Sequence, residues 1–227
     1  MKKKLFIFGT GTIAEIAYYY FLNESDYEIC GFVEYRKLIK KKIFCKLPVV
    51  EFEKLKNIFP SKSYYGFVAI GYRALNDDRT KVYKLLKKKN YKLASFISKY
   101  SHIAKNVKIG DNCLILEKQI IQPFTVIGNN VTIWCGNIIG HHCKIKNNCF
   151  ITSNVVIAGY STVGENSFIG IKSAIKDKTK IGKYCAILMN SSIGKNMPNR
   201  STSLSQLSPI YDIKNSNIKT IRKKYFY

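Results

Sequence analysis

Two of the three histidines in this chain of 227 residues are adjacent: His141 and His142 follow Ile139-Gly140. Neutral imidazole titrates near ~6.5 in isolation, so it can take a proton from an amine or hydroxyl at physiological pH. A base of this kind suits deprotonation of a nucleophile as it attacks a thioester carbonyl, with backbone amides available to stabilise the oxyanion. The third histidine, His102, reads as a surface side chain. A second chemical signal opens the chain. The apolar run Leu5-Phe6-Ile7-Phe8 leads into Gly9-Thr10-Gly11-Thr12-Ile13-Ala14, after which Ile13, Ile16, Ala17 and Tyr20 fall at helical spacing. A strand, a G-x-G-x-x-A turn and a helix make the first unit of a nucleotide-binding α/β fold: the glycines let backbone approach a phosphate and the helix N-terminus faces it. Glu34 closes the next apolar stretch, roughly 20 residues beyond the glycines, where an acid meets a ribose hydroxyl in such folds.

The histidine pair sits inside a repeat. Every sixth residue from Ile97 to Ile193 is isoleucine, except for Val163. Neither a helix (period 3.6) nor a flat strand (period 2) sustains that spacing, whereas a three-sided hexapeptide β-helix does. Two residues before the aliphatic stands a mostly small residue, including Cys113, Thr125, Cys143, Cys149, Ser161, Ser167, Ser173 and Cys185. Three residues after it comes a run of asparagines, among them Asn112, Asn130, Asn148, Asn154 and Asn166, a residue that tolerates the positive φ of a repeated corner. His141 and His142 fall in the two outward corner columns. One coil is roughly 18 residues. A step of that size from His141 reaches Pro123 below and Gly159 above, and the glycine is expected to leave open space over the imidazole. His102 lies too far down the coil to complete a three-histidine metal site, and no Cys-x-x-Cys or His/Cys cluster is spaced for structural zinc, so no metal is expected.

Composition narrows the class. The net charge of +24 arises from many lysines and few arginines. It would attract phosphorylated substrates, but no nucleic-acid-reading motif is present, and a solvated lysine-rich surface accounts for most of it. The seven cysteines read as packing residues rather than disulfides. Lys2 to Phe8 mimics the start of a signal peptide, but Gly9, Gly11 and Glu15 interrupt the short apolar run. No stretch reaches transmembrane length. The expectation is a cytoplasmic, reduced protein.

In chain order, strands are expected over 27–33 and 64–70, a lysine-rich loop over 36–46 and a short helix over 51–58. A further helix is expected over 77–89, with Asn76 as its N-terminal side-chain cap and Asn90 at its C-terminal end. No flexible linker separates the halves, and the first half is too short for a two-lobed dinucleotide fold, which argues against a nicotinamide dehydrogenase. Beyond Ile193 the repeat stops and the chain is expected to be irregular; the basic, aromatic end over 218–227 has no clear assignment.

A short nucleotide-binding half followed by a hexapeptide β-helix bearing Gly140-His141-His142 resembles the bacterial nucleotide-sugar acyltransferases of the sialic acid O-acetyltransferase and bacillosamine N-acetyltransferase group. Ala69-Ile70-Gly71-Tyr72, Ile121-Gln122-Pro123-Phe124 and Val155-Val156-Ile157-Ala158-Gly159 share that likeness. The resemblance implies a Rossmann-like nucleotide-sugar-binding domain over 1–95, a left-handed β-helix acyltransferase domain over 96–195 and a tail over 196–227. It implies a homotrimer with active sites between subunits. The nucleotide-sugar would be held by Gly9, Thr10, Gly11, Thr12 and Glu34 with Tyr72 nearby, acetyl-CoA would lie by Asn154, Gly159 and Gly170, and His141 would be the general base with His142 beside it. Where many relatives carry an acid after the histidine, this chain has His142. The activity implied is N-acetylation of a nucleotide-linked amino sugar for surface glycan synthesis; alternatives are sugar O-acetylation and a non-catalytic trimeric scaffold that binds nucleotide-sugars.

Overall fold

A computed structural model describes residues 2–205. The first half is a parallel sheet. Its strands are β1 (Lys3–Phe8), β2 (Tyr27–Glu34), β3 (Ile43–Phe44), β4 (Leu47–Glu51), β5 (Tyr65–Val68) and β6 (Lys92–Leu93), in the order β3-β4-β2-β1-β5-β6. All pairings are parallel except the short β3–β4 hairpin, whose first strand sits within the stretch expected to be loop and whose second follows it. The chain spreads from β1 to one side through β2 and β4, then returns to the other through β5, so a crevice opens at the carboxyl ends of β1 and β5. Helix α1 (Thr12–Glu24) packs Ala14, Ala17 and Phe21 onto one sheet face with Leu5, Ile7, Phe32 and Phe67. Helices α2 (Leu55–Ile58) and α3 (Asp77–Lys88) cover the other face, where Leu55, Val82 and Leu86 meet Phe6, Phe8 and Val33. The helix expected over 51–58 is thus a 3-10 turn and then one α-turn.

From Phe96 the chain winds into a β-helix of two-residue strands, each ending on the repeat aliphatic except the last, Thr202–Ser203, and stacked into three parallel faces. Face I holds strands 96–97, 114–115, 132–133, 150–151, 168–169, 186–187 and 202–203. Face II starts at 102–103 and ends at 192–193, and face III starts at 108–109 and ends at 180–181. Partners are eighteen residues apart, as in Ile120↔Ile138 and Ile138↔Val156, except in the last pair, Ala186↔Thr202, which is sixteen apart. The interior is a column of Ile115, Ile121, Ile127, Ile133 and their successors, joined by Cys113, Cys143, Cys149 and Cys185. Every sixth residue from Asn112 to Asn190 has positive φ, whatever its type, which is the corner geometry that made asparagine frequent there. The described part of the tail corrects the expectation of irregular chain: Met197 bridges Ile181, and Thr202–Ser203 pairs with Ala186–Ile187, so the coil continues. The expected basic aromatic end lies outside the described residues.

The halves share one apolar core, since Phe96, Leu114 and Leu116 of face I pack with Phe21, Phe67 and Ala94. A polar seam joins them at the corner between faces III and I. Asn112, Asn130, Asn148 and Asn166 form a ladder of side-chain amides, each Nδ2 donating to the next Oδ1 at 2.8–3.1 Å. At one end the Val68 amide donates to Asn112 Oδ1, and at the other Asn166 Nδ2 donates to Asp77 and Thr80 of α3. Beside the ladder, Arg79 is wholly buried without a carboxylate. Its guanidinium donates to the carbonyls of Asn130, Asn148 and Cys149 in the coil and of Gly71, and it lies over the Phe150 ring. Desolvation lowers its pKa to about 10. Asn76 does not cap α3. With φ of 70° its side chain turns away to donate to the carbonyls of Asn166 and Ser167, serving the seam instead. Asn90, with φ of 63°, does end the helix in the left-handed conformation.

Candidate active site

The carboxyl end of β1 makes a cradle. Gly9 has φ of +117°, and a Cβ there would stand 2.7 Å from the Ala69 carbonyl oxygen, so only glycine fits. Gly11 begins α1 with no side-chain cap and nothing within 4 Å of where its own Cβ would be, which leaves the first-turn amides open to an outside acceptor. Glu34 sits across the turn, its Oε1 accepting from the Tyr35 amide at 2.9 Å and its Oε2 from the Thr10 hydroxyl at 3.4 Å. Burial pushes the Glu34 carboxyl above its ordinary value, and those two hydrogen bonds pull it partway back. These residues line one cavity of about 500 Å³, together with three cations that sequence reading missed, Lys37, Arg73 and Lys81. Arg73 pairs with Asp78 at 2.5 Å in the same wall. Gly9, Thr10, Gly11, Thr12 and Glu34 are therefore brought together in one cradle, with open backbone amides on one side and a carboxylate on the other. Tyr72 is not among them: it leaves the crevice and lies against Phe150 and Phe168 of face I, with ring centroids 5.0 and 4.7 Å away.

The second centre is the corner between faces II and III. Gly140 stacks on Gly159 so closely that a Cβ would meet the Gly159 amide nitrogen at 2.6 Å. The next residue, His141, points outward and is exposed, and its backbone amide donates to Gln122 Oε1 at 3.0 Å. Its ring does not look onto empty space above Gly159, as expected. It fills that space itself: a Cβ on Gly159 would lie 2.8 Å from Cε1 and 2.9 Å from Nε2. The Nδ1 atom of His141 is 3.1 Å from Nδ1 of His142. His142, with φ of 56°, occupies the left-handed corner position and is stacked between the rings one coil below and one coil above, Phe124 at 4.6 Å and Tyr160 at 4.7 Å. Tyr160 also meets the His141 ring edge-on at 5.0 Å. One imidazole thus sits in an aromatic stack and meets the other by a ring-nitrogen contact.

The cradle and the histidine corner lie on different sides of the coil. The α/β half covers face I and the corner between faces III and I; His141 stands at the vertex opposite face I. The remaining expected residues divide as well. Asn154 and Gly170 lie at the corner between faces I and II, whereas Gly159 lies beside His141, so the three bracket face II instead of clustering. A Cβ on Gly170 would strike Met189 and Leu188 backbone at 2.5 and 2.6 Å, so its glycine serves the stacking of coils. Face II itself presents Ile120, Ile138 and Val156, which are 44%, 40% and 41% exposed.

All seven cysteines are free, and Cys113 and Cys149 have thiols pushed up to about 12 by burial, which keeps them protonated and inert. Among the described residues no three His, Cys, Asp or Glu side chains gather as a metal site, and no helix is long and apolar enough to cross a membrane.

Residues 124–159 match the bacterial transferase hexapeptide (six repeats) family model. No curated protein matches the chain by sequence. Among solved structures, a variant of perosamine N-acetyltransferase from Caulobacter crescentus in complex with CoA and GDP-perosamine superposes with a TM-score of 0.80 at 19% identity, over 89% of this chain and 93% of that one. The acetyltransferase domain of PglB from Neisseria gonorrhoeae, in complex with acetyl coenzyme A, gives 0.79 at 19% identity, over 89% and 96%. WeeI from Acinetobacter baumannii gives 0.66 at 20% identity, over 87% and 94%. The repeat and the superpositions define a left-handed parallel β-helix preceded by a short α/β region. The likeness in fold to these structures covers almost the whole described chain.

Proposed function

We propose that this protein is an acetyl-CoA-dependent N-acetyltransferase that acts on a nucleotide-linked amino sugar in surface glycan synthesis, working as a homotrimer. The observation that carries this reading is the His141 ring, exposed at a coil corner and held through one nitrogen so that the other is left for substrate. The cradle at Gly9–Thr12 with Lys37, Lys81 and Glu34 supplies what a nucleotide diphosphate and a ribose hydroxyl need. The superposable structures that hold CoA with GDP-perosamine, or acetyl coenzyme A, support the same pair of substrates. Assembly follows from the placement of the parts: cradle and base sit on opposite sides of one coil, and the apolar face II beside the base is what a second copy would cover.

In the reaction a neutral sugar amine attacks the thioester carbonyl carbon. Its N–H proton passes to His141 Nε2 as the C–N bond forms, and the developing oxyanion is met by backbone amides. Collapse of the tetrahedral intermediate breaks the C–S bond, and the leaving thiolate takes the proton back from the His141 imidazolium. Atoms and charge balance without a metal or an external base.

The reading is tested by thiol release from acetyl-CoA with UDP-, dTDP- and GDP-linked 3- and 4-amino sugars, comparing the protein with His141→Ala. Release with at least one amino sugar, falling by roughly 10²–10⁴-fold in the variant, is expected. Tight nucleotide-sugar binding without release from any sugar would overturn it in favour of a scaffold. Release only with sugars that lack an amine would make it an O-acetyltransferase.

A further inference from the structure

We infer that His142 is a positioning residue that, as a neutral hydrogen-bond acceptor, holds His141 in the tautomer able to act as base; this rests on His141 being the base. The Nδ1 atoms of the two rings are 3.1 Å apart, which leaves room for one proton between them and not two. The His141 ring has no other side-chain hydrogen bond among the described residues, so its Nε2 is the nitrogen that meets substrate. For Nε2 to carry a lone pair, Nδ1 must carry the proton, and that proton needs an acceptor. His142 Nδ1 is the acceptor in place. The opposite arrangement, with the proton on His142, puts hydrogen on His141 Nε2 and silences it. Which nitrogen of a histidine is free is set by the hydrogen bond that the other one makes.

The surroundings of His142 fix this geometry. Its ring lies between Phe124 and Tyr160, at interplanar angles of 31° and 17°, which favours the orientation that faces His141. The two imidazoles meet nearly at right angles, at 88°, with the His141 ring seated on Gly159. When His141 takes the substrate proton at Nε2 it becomes an imidazolium whose Nδ1–H still points at a neutral ring nitrogen, a charge-assisted bond that strengthens as the transition state is approached. No carboxylate touches either ring among the described residues, so the acceptor in place at His141 Nδ1 is a ring nitrogen and not a carboxylate oxygen.

The corner itself supplies clean variants. Phe124 and Tyr160 hold the equivalent position with φ of 64° and 60°, so His142→Phe keeps both backbone and stack while removing the acceptor. His142→Asp restores an acceptor that has no proton to donate, in a conformation that Asp tolerates. With the full-length protein, acetyl-CoA and the amino sugar that gives thiol release, His142→Phe is expected to lower kcat roughly 10- to 100-fold, the effect typical of losing the partner that fixes a histidine tautomer. KM for both substrates and the melting temperature should stay unchanged, and His142→Asp should recover most of kcat. Nitrogen-15 resonances of the imidazoles, read without substrate, should place the neutral His141 proton on Nδ1 in the unaltered protein and on Nε2 in His142→Phe. A proton on Nε2 in the unaltered protein overturns the inference, as does full kcat in His142→Phe, or an Asp variant as slow as the Phe variant. Undiminished release by His141→Ala would instead remove the base assignment beneath it.

Discussion

The His141 imidazole occupies the volume that a side chain on Gly159 would need, one coil above it, with Cε1 and Nε2 2.8 and 2.9 Å from the missing Cβ. Gly159 has ordinary negative φ, so alanine strains no backbone there, and the imidazole is what must move. Gly159→Ala is expected to lower kcat by about 100-fold, the scale on which a misplacement of roughly 1 Å acts. The melting temperature should not change, because the interior column lies on the other side of the wall. Steady-state kinetics beside a thermal melt separates the two effects, and a full-rate alanine variant would show that this ring position is irrelevant to turnover.

Glu34 gives a pH-dependent test. Burial raises its carboxyl, so the folded chain binds that proton more tightly than the unfolded chain does. Its favourable contribution is complete below the ordinary glutamate value of about 4.3 and is lost as pH rises through the raised one. Glu34→Gln should therefore melt higher than the unaltered protein at pH 7, with the advantage vanishing near pH 4. Binding should move the other way. Losing the carboxylate proposed to accept from a ribose hydroxyl is expected to weaken nucleotide-sugar binding by about 10- to 100-fold in calorimetry.

Face II is the surface that a partner copy is proposed to bury. Ile138 lies mid-stripe, between Ile120 and Val156, and its side chain points away from the coil interior. Ile138→Glu should shift the protein from a species of three times 26.0 kDa to a single chain in sedimentation. Acetyl transfer should disappear with it, while nucleotide-sugar binding to the cradle persists. A monomer that still turns over would show that cradle and base need no second copy.

Arg79 ties the cradle to the coil through four carbonyls, one of which, Gly71, belongs to the cavity wall. A lysine keeps the charge but cannot fork across the same acceptors. Arg79→Lys should lose about 1–3 kcal/mol of stability, the net worth of two such hydrogen bonds, as read from urea midpoints. An unchanged midpoint would mean that the guanidinium fork is dispensable to the seam.

Much of the β-helix was legible because one column alone specifies it. An aliphatic every sixth residue has a single geometric solution over this length, and each short strand from Phe96–Ile97 to Ser192–Ile193 does end on it. The glycine turn and Glu34 were legible because local backbone demands, such as the Gly9 conformation, leave a mark at fixed spacing. The cavity cations were not, since Lys37, Arg73 and Lys81 come from three separate elements whose meeting depends on the sheet. Tyr72 was misplaced for a similar reason. It precedes a left-handed run at Ala74, Leu75 and Asn76 that carries the chain across to the coil, and no residue type there announces it. The corner asparagines were read for their backbone role only; the ladder they form appears once eighteen-residue neighbours are stacked. The same step taken from His142, and not only from His141, would have reached Phe124 and Tyr160.

The unbroken hexad also behaves as a reading frame for insertions and deletions. Within the domain each coil stacks only on those above and below, with face I and its corner with face III also packed on the α/β half, so it is nearly one-dimensional along its axis. Removal of one residue after Ile151 would carry polar corner residues into the interior of every later coil, and no distant contact could absorb the slip. Addition or loss of eighteen residues keeps every column in phase. Between Ile97 and Ile193 the coil therefore stays in phase only when its length changes by whole turns, whereas its last turn is two residues short, with Ile181 facing Met197 and Ala186 facing Thr202. Whole-turn changes above the histidine corner leave His141, His142 and Gly159 where they are.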